Sequence, residues 1–237
     1  MKREIFKVEE TFATIISDEE FIPIGKQEML HQRSFLEDFI RHDPLFVQTL
    51  EPYQVPEEAP EIVRRMAEAA SKMGVGPMAS VAGAIAEYAV RAMVRAGARH
   101  VLVDNGGDIA LYLSHPVIIG IYAGDVKINN LGLRFQSLGN LFGVCTSSAT
   151  VGPSLSLGRA DAATVISQDV ILADAAATAL GNSIKEKTKE SITKALTSIA
   201  NVEIEGMLAI ADDFIGIWGK LPEMVKVNID YALITKG

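Results

Sequence analysis

Cysteine is almost absent from this sequence, which has Cys145 alone in 237 residues. A single thiol cannot form an internal disulfide, and it cannot supply the several sulfur ligands of a cysteine-rich zinc site. Disulfide-stapled scaffolds and zinc ribbons are therefore excluded. The chain is long enough to bury a substantial core without such cross-links, as one large or two small domains.

Excess positive charge and long apolar runs are also missing. The chain has 22 Lys and Arg against 30 Asp and Glu, a net charge of −8, and no cluster of basic residues. This balance argues against nucleic acid and anionic membranes as partners and favours a small-molecule ligand or a metal cation. No apolar run reaches the length of a membrane span, and no signal-peptide core follows MKREIFKVEET. We therefore expect a cytoplasmic protein; whether it forms a homo-oligomer stays open.

The order of the predicted elements indicates an α+β fold. Alternating β-branched and aromatic residues predict a strand over 4–16, with 21–24 as its hairpin partner. Helical spacing follows over 26–50, where Pro44 interrupts it, then after Pro60 and over 78–97. The remaining predictions are strands at 100–105, 109–113, 116–124, 131–136, 143–148 and 161–167, helices at 171–184 and 190–200, and a hairpin at 203–219. This order predicts antiparallel sheets covered by helices and built by internal duplication.

The stretch VDNGGDIAL places a turn between two of these strands. Asn105, Gly106, Gly107 and Asp108 form its centre. Asn-Gly-Gly suits a tight turn that needs positive φ. The glycines would also let a ligand approach the backbone closely. Two interpretations stay open: a plain turn, or a turn whose four residues bind a cofactor.

A second stretch, GVCTSSATVGPSLSLGRADAATV from position 143, concentrates hydroxyl groups and glycines. Its candidate ligand-binding residues are Thr146, Ser147, Ser148 and Thr150. Such a segment can offer many N–H and O–H donors to an anion such as a phosphate. The alternative is a flexible polar loop, although the flanking strands are strongly apolar and the first charge is Arg159.

The third stretch, LADAAATAL, carries a carboxylate and a hydroxyl on one face of a predicted helix. Asp174 and Thr178 are four residues apart, so their side chains project in the same direction. Both are hard oxygen ligands suited to Mg²⁺, with waters and substrate phosphates completing the shell. The surrounding alanines indicate a buried site, where a carboxylate needs a partner such as a cation.

Together these stretches resemble the ApbE family of FAD:protein FMN transferases. That family has a GGD turn, a Thr-Ser-Gly segment and an ADAxxT helix; NGGD, TSS and ADAAAT stand here in the same order, between about Val75 and Asn182. The resemblance implies a single duplicated, T-fold-like domain over 1–237. It also implies a cleft for FAD or another phosphate-bearing ligand, lined by the TSS segment, and Mg²⁺ bound by Asp174 and Thr178.

The sequence departs from the transferases at two places. They carry a Lys-Gly pair in the helix before the GGD strand, where Ala86 and Glu87 stand here, and a His-Ile-x-Asp-Pro segment that is absent. The fuller pattern GxCTSSxTxGxSxSxGxADA, followed by ADAxAT, resembles a separate ApbE-related family. We therefore expect FMN transfer itself to be absent or very weak.

Two residues of the second stretch are candidates for catalysis. Cys145 is either a small buried hydrophobe, the usual fate of a free cysteine, or a reactive thiol activated by donors of the following Thr-Ser-Ser turn. Asp161, in an Ala-Asp-Ala segment, either faces the cleft as an acid or metal ligand or is an ordinary strand-start aspartate.

Three functions are compatible with these residues. The first is an ApbE-like enzyme or binding protein that holds a flavin or another phosphate-bearing molecule with Mg²⁺. The second is a sulfur-handling protein in which Cys145 carries a persulfide for cysteine or homocysteine synthesis. The third is a non-catalytic scaffold that has kept the fold.

Overall fold

Groups of strands and groups of helices follow one another along the chain, as in an α+β protein. The computed structural model describes residues 1–9, 11–124, 126–128, 130–149, 157–228 and 235. The strands are β1 (Lys2–Val8), β2 (Thr11–Ser17), β3 (Val101–Asn105), β4 (Asp108–Leu113), β5 (Val117–Ile121), β6 (Leu131–Phe135), β7 (Leu138–Ser147), β8 (Ala162–Ser167), β9 (Gly206–Ala211), β10 (Phe214–Gly219) and β11 (Glu223–Lys226). The α-helices are α1 (Ile22–His42), α2 (Leu45–Gln48), α3 (Glu61–Met73), α4 (Val81–Arg95), α5 (Val170–Ser183) and α6 (Lys189–Ile199).

Eight of the strands form one antiparallel sheet in the order β1-β2-β3-β4-β7-β8-β9-β10. Each half of this sheet has the same construction, with two hairpin strands, then helices, then two further strands. The second and third strands of each half pair in its middle, β2 with β3 and β8 with β9. A smaller sheet has the order β11-β6-β5. The predicted α+β class is confirmed, and the repeated order matches the expected duplicated arrangement.

The N-terminal region differs from the prediction. Residues 21–24 are not a strand; they lead into α1, with Pro23 in its first turn, where a missing N–H removes no helical hydrogen bond. The hairpin lies within 4–16 instead, where Glu9 adopts a φ of 49° between β1 and β2. The helical pattern over 26–50, with its expected interruption at Pro44, is observed as α1, which ends at His42, and the short α2. Strand β11 was not predicted, because four partly exposed residues show no clear alternation.

Helices cover one face of the large sheet. Helices α4 and α5 lie on it, α1 packs against α4, α3 packs against α5, and α6 covers β9 and β10. At Gly143 on β7 the contact with α5 is so close that a Cβ would lie 2.8 Å from the Val170 Cα. The small residues of β7 and α5 therefore hold α5, which carries Asp174, tightly against the sheet.

The small sheet covers the middle of the opposite face. A buried apolar cluster joins the two sheets there. It includes Leu111, Ile166 and Leu208 from the large sheet and Leu133 and Phe135 from β6. A cleft is lined by residues of β2, β3 and β5, by the β3–β4 turn and by the start of α4. No helix among the described residues is both long enough and apolar enough to cross a bilayer.

Candidate functional site

A cleft of about 1520 Å³ opens beside the β3–β4 turn. Its walls come from that turn, the ends of β7 and α5, the segment before α4, and β5. Nine of the residues predicted to bind a cofactor or metal line it: Asn105, Gly106, Gly107, Asp108, Thr146, Ser147, Ser148, Asp174 and Thr178. Cys145 and Asp161 do not contribute to its walls. Thr150 lies outside the described residues.

The Asn-Gly-Gly-Asp stretch is a two-residue hairpin on the rim of the cleft. Asn105 and Asp108 pair across it, and Gly106 and Gly107 have φ values of 70° and 105°, as a type I′ turn requires. The Asn105 amide donates to the Ala82 carbonyl at 3.1 Å and so ties the turn to the start of α4. The turn and the ligand-binding interpretations are compatible, because the same backbone forms the wall of the cleft.

Asp174 faces the amino end of α4. The Gly83 N–H donates to its Oδ2 at 2.7 Å, and a Cβ on Gly83 would lie 2.8 Å from the Asp174 Cβ. Only a glycine lets the two helices approach this closely. Thr178, one turn further along α5, places its Oγ1 at 3.5 Å from the Ala79 carbonyl oxygen. The carboxylate and hydroxyl therefore lie on the same wall, as their spacing predicted.

Acidic side chains concentrate on this wall. Burial raises the pKa of Asp174 to about 7, opposed by hydrogen bonds from the Gly83 and Ala82 backbone. The pKa of Asp108 lies well above its ordinary value, because of its burial and then because of the neighbouring Asp174 and Asp104 carboxyls. Carboxyls so placed hold a proton or attract a cation, since unpaired buried charge is costly.

The hydroxyl segment lies next to these carboxyls. The Thr146 N–H donates to the Gly107 carbonyl at 3.2 Å, which joins the end of β7 to the turn. The Thr146 and Thr164 hydroxyl oxygens are 2.9 Å apart. Ser147 and Ser148 follow along the cleft wall. The first part of the predicted segment therefore presents polar groups to the cleft, although the bonds of Thr146 also tie it into the sheet.

Cys145 lies behind the wall rather than on it. The side chain is fully buried, directly across the ladder from Asp108, and its Sγ lies 3.7 Å from the Val170 carbonyl oxygen. Burial, followed by the nearby Asp108 and Asp174 carboxyls, raises the pKa of the thiol well above its ordinary value. This geometry favours the packing interpretation over an activated thiolate; nucleophilic or persulfide chemistry at Cys145 stays a prediction for chemical labelling.

Asp161 is held in an ion pair away from the cleft. It is 1% exposed, and the Lys187 ammonium donates to both of its oxygens at 2.8 Å. The Asp212 N–H donates to Oδ2 at 2.7 Å. These bonds join the start of β8 to the segment before α6 and to the β9–β10 turn. This geometry favours the strand-start interpretation of Asp161 over a role in the cleft, because the Lys187 ammonium contacts both carboxylate oxygens.

Sequence reasoning missed four charged residues of the cleft: Asp104, Arg3, Arg33 and Glu37. Asp104 accepts from the Gly107 N–H at 2.9 Å and from the Thr235 hydroxyl at 2.5 Å, and burial raises its pKa. Its place one residue before the Asn-Gly-Gly turn was a usable signal. Arg3 lines the cleft from β1, and Arg33 and Glu37 line it from α1. Nothing local marks them, because they reach it through the fold.

The order of strands and helices in this antiparallel α+β structure is that of the ApbE fold. The flavinyl transferase ApbE of Pseudomonas stutzeri, solved in its apo form, has the same fold with a TM-score of 0.57. The two chains are 12% identical, and the match covers 95% of this chain and 94% of that one. At this identity the likeness concerns the fold.

Sequence comparison identifies the family within that class. A family model described as AbpE bacteria matches residues 17–203. UPF0280 proteins from Methanosarcina barkeri (strain Fusaro) and Methanocella arvoryzae are each 50% identical to this chain. The matches cover 99% and 98% of this chain and 93% and 94% of the two relatives. The chain belongs to the UPF0280 family, which confirms the predicted membership of a family related to, but separate from, the transferases.

Proposed function

We propose that this protein binds a phosphate-bearing small molecule together with Mg²⁺ in the cleft, and that a flavin nucleotide is the first candidate. The observation that supports this most is the meeting of Asp108, Asp174 and Thr178 on one wall. The cleft of about 1520 Å³ is also larger than the ~300–1,000 Å³ of ordinary ligand pockets, so a nucleotide-sized molecule fits.

Asp174 and Thr178 would hold the cation, and the Asp108 carboxyl would lie near it on the same wall. Mg²⁺ is usually bound by one or two carboxylates, with waters and ligand phosphates in the other positions. The described residues contain no group of three His, Cys, Asp or Glu side chains that could hold a metal ion by themselves. A site completed by waters and ligand phosphates therefore suits them. When bound, the cation would neutralise ligand phosphate charge beside an acidic wall.

The cleft has the mixed character that a nucleotide needs. Its polar end is built from the β3–β4 turn and the hydroxyls at the end of β7. Its other walls carry many apolar residues, which include Leu50, Met78, Val81, Ile118 and Ile121, together with Arg3, Arg33 and Glu37. A ligand with phosphate at one end and a flat apolar ring system at the other would satisfy both regions.

We further propose that FMN transfer is not the activity of this site. Glu87 stands where the transferases have their Lys-Gly pair, and here it is fully buried. It accepts from Arg65, from the Arg91 Nε at 2.8 Å and from the Val170 N–H at 3.0 Å. The residue therefore joins α3, α4 and α5 and does not line the cleft. With the His-Ile-x-Asp-Pro segment also missing, flavinylation of an acceptor peptide by FAD and Mg²⁺ should be absent or very weak.

Calorimetric titration with FAD and with FMN, in Mg²⁺ and in EDTA, tests the proposal. We expect binding that Mg²⁺ strengthens, and we expect Asp174→Asn to lose at least ~10-fold of affinity in Mg²⁺. In EDTA the variant should bind like the natural chain. Asp38→Asn is the matched control, because Asp38 is exposed on α1 and outside the cleft.

The other results separate the alternatives. Binding that Asp174→Asn leaves fully dependent on Mg²⁺ would overturn the cation site. An absence of binding to any flavin or nucleotide would favour the scaffold function. A stable mass increase of one sulfur on Cys145 would favour sulfur handling. Efficient flavinylation of an acceptor peptide would show that the departures from the transferase motifs do not abolish transfer.

A further inference from the structure

The two edges of the large sheet differ in charge. Strand β1 forms one edge, and its sequence KREIFKV carries four charged side chains, which discourage pairing with another strand. Strand β10 forms the other edge among the described strands, and its sequence FIGIWG carries none. Phe214, Ile215 and Ile217 of β10 are 40%, 39% and 45% exposed. An uncharged apolar edge of this kind favours pairing with a further strand.

The sequence of β10 is nearly palindromic about Gly216. Ile215 and Ile217 flank the glycine, and Phe214 and Trp218 follow on either side. A Cβ on Gly216 would lie 2.3 Å from the Ile192 Cγ2, so this position faces α6. Because side chains alternate along a strand, Phe214 and Trp218 share the helix-facing side, and the two isoleucines share the other. Each face of β10 is therefore symmetric about Gly216.

We infer that β10 pairs antiparallel with β10 of a second copy of this chain, around a two-fold axis through Gly216. In this register Ile215 lies opposite the second copy's Ile217, and Phe214 lies opposite the second copy's Trp218. A two-fold interface requires such a self-complementary patch. Aromatic pairs and β-branched pairs directly across an antiparallel ladder are favourable contacts.

The backbone of β10 is oriented for this register. Ala211 and Phe214 close a two-residue hairpin, and the Lys220 N–H bonds to the Glu205 carbonyl at 2.7 Å. Even-numbered residues of β10 therefore direct their hydrogen-bonding groups to β9. The groups of Ile215 and Ile217 point outward, so in the proposed register these two residues exchange hydrogen bonds with their counterparts.

Charges at the ends of the strand complement each other in the same register. The β9–β10 turn carries Asp212, and Lys220 directly follows the strand. Both side chains are exposed. A two-fold axis through Gly216 places Lys220 of each copy beside Asp212 of the other. None of the residues of β10 lines the cleft, so the dimer leaves ligand access unchanged, and its test is independent of the proposed function.

Sedimentation equilibrium on the full chain tests the dimer. We expect a dimer for the natural chain and a more than ~10-fold weaker one for Ile217→Lys, since the two-fold axis brings each substitution into the interface twice. Ile5→Lys is the matched control, because Ile5 is 53% exposed on the charged edge β1. It should dimerise like the natural chain. Circular dichroism should show that both variants keep the fold.

The single tryptophan of the chain, Trp218, gives a second readout. Dilution of the natural chain should shift its emission as the second copy's Phe214 leaves it, and Ile217→Lys should show the dissociated emission at every concentration. A monomer at all concentrations would overturn the inference. A dimer that Ile217→Lys leaves intact, with emission independent of dilution, would overturn it as well.

Discussion

Two aspartates of this protein stand in nearly the same local sequence and in opposite environments. Asp161 belongs to ADAAT and Asp174 to ADAAAT. Both are almost fully buried, at 1% and 6% exposure. Lys187 lies against both oxygens of Asp161, whereas Asp174 faces the backbone N–H of Gly83, and its charge acts on a second carboxyl, Asp108.

The difference shows what separates a structural aspartate from a candidate ligand. A buried carboxylate with its own lysine is neutralised inside the fold and has no need of an external partner. A buried carboxyl beside another carboxyl either keeps its proton or, when ionised, needs a cation as its partner. Of the two Ala-Asp-Ala segments, the one at Asp174 therefore carries the proposed metal site, and the one at Asp161 connects three elements.

Asp161→Asn should have the largest effect on stability. It removes the charge that Lys187 faces and one acceptor of a buried bond network, so we expect a loss of about 3 kcal/mol in the free energy of unfolding. This is at the lower end for a buried pair, because the Lys187 side chain is 37% exposed. Urea unfolding measures the loss. Lys187→Met should also destabilise the protein, since it leaves the Asp161 carboxylate unpaired. If neither substitution changed the free energy of unfolding, the contrast with Asp174 would be lost.

Asp174→Asn should change the free energy of unfolding of the metal-free protein in the opposite direction, toward greater stability. Burial raises the pKa of this carboxyl from 3.8 to about 7, so the folded state binds its proton more tightly than the unfolded chain does. Its stabilising contribution is complete below the unfolded pKa and is lost as the pH rises through about 7. Asparagine, which cannot ionise and still accepts from Gly83, avoids this loss.

We therefore expect Asp174→Asn to be more stable than the natural chain at pH 8 by about 2 kcal/mol, and close to it at pH 4. Urea unfolding in EDTA at both pH values measures the difference. If Asp174→Asn were equally destabilised at both pH values, the Asp174 carboxyl would stabilise the fold, as we expect of Asp161.

Gly83→Ala should disturb the surroundings of Asp174 without touching its charge. The new Cβ would lie 2.9 Å from the Val170 carbonyl oxygen as well as against Asp174, so α4 and α5 must separate. We expect a loss of about 1–2 kcal/mol and weaker Mg²⁺-dependent binding. Gly139→Ala is the matched control, because no described atom lies within 4 Å of its added Cβ. Equal stability of the two variants would contradict the close helix contact.

Cys145→Ala should have the smallest effect, about 1 kcal/mol, because it removes one buried atom that does not line the cleft. Iodoacetamide should leave the folded chain unlabelled and should react after unfolding, with mass spectrometry as the readout. Labelling of the folded protein with a midpoint well below the free thiol value of ~8.5 would restore the reactive interpretation.

Local patterns predicted most of the elements and nine polar or glycine residues of the cleft wall. The predicted helix at 171–184 is observed as Val170–Ser183, because its apolar run and the following Gly-Asn stretch are local signals. The hairpin at 203–219 is observed as β9 and β10 for the same reason. The partner of the first strand was assigned wrongly, since a proline next to apolar residues reads equally well as a strand end or as a first helical turn.

The α+β class, the turn at Asn105–Asp108 and the carboxylate–hydroxyl face at Asp174 and Thr178 could be predicted from sequence, because each depends on residues a few positions apart. Which aspartate faces the cleft depends on contacts between residues far apart in the chain. Lys187 is 26 positions from Asp161, and Gly83 is 91 positions from Asp174. The environment that sets the charge of a buried group is assembled from such distant contacts, so two nearly identical segments acquire different chemistry.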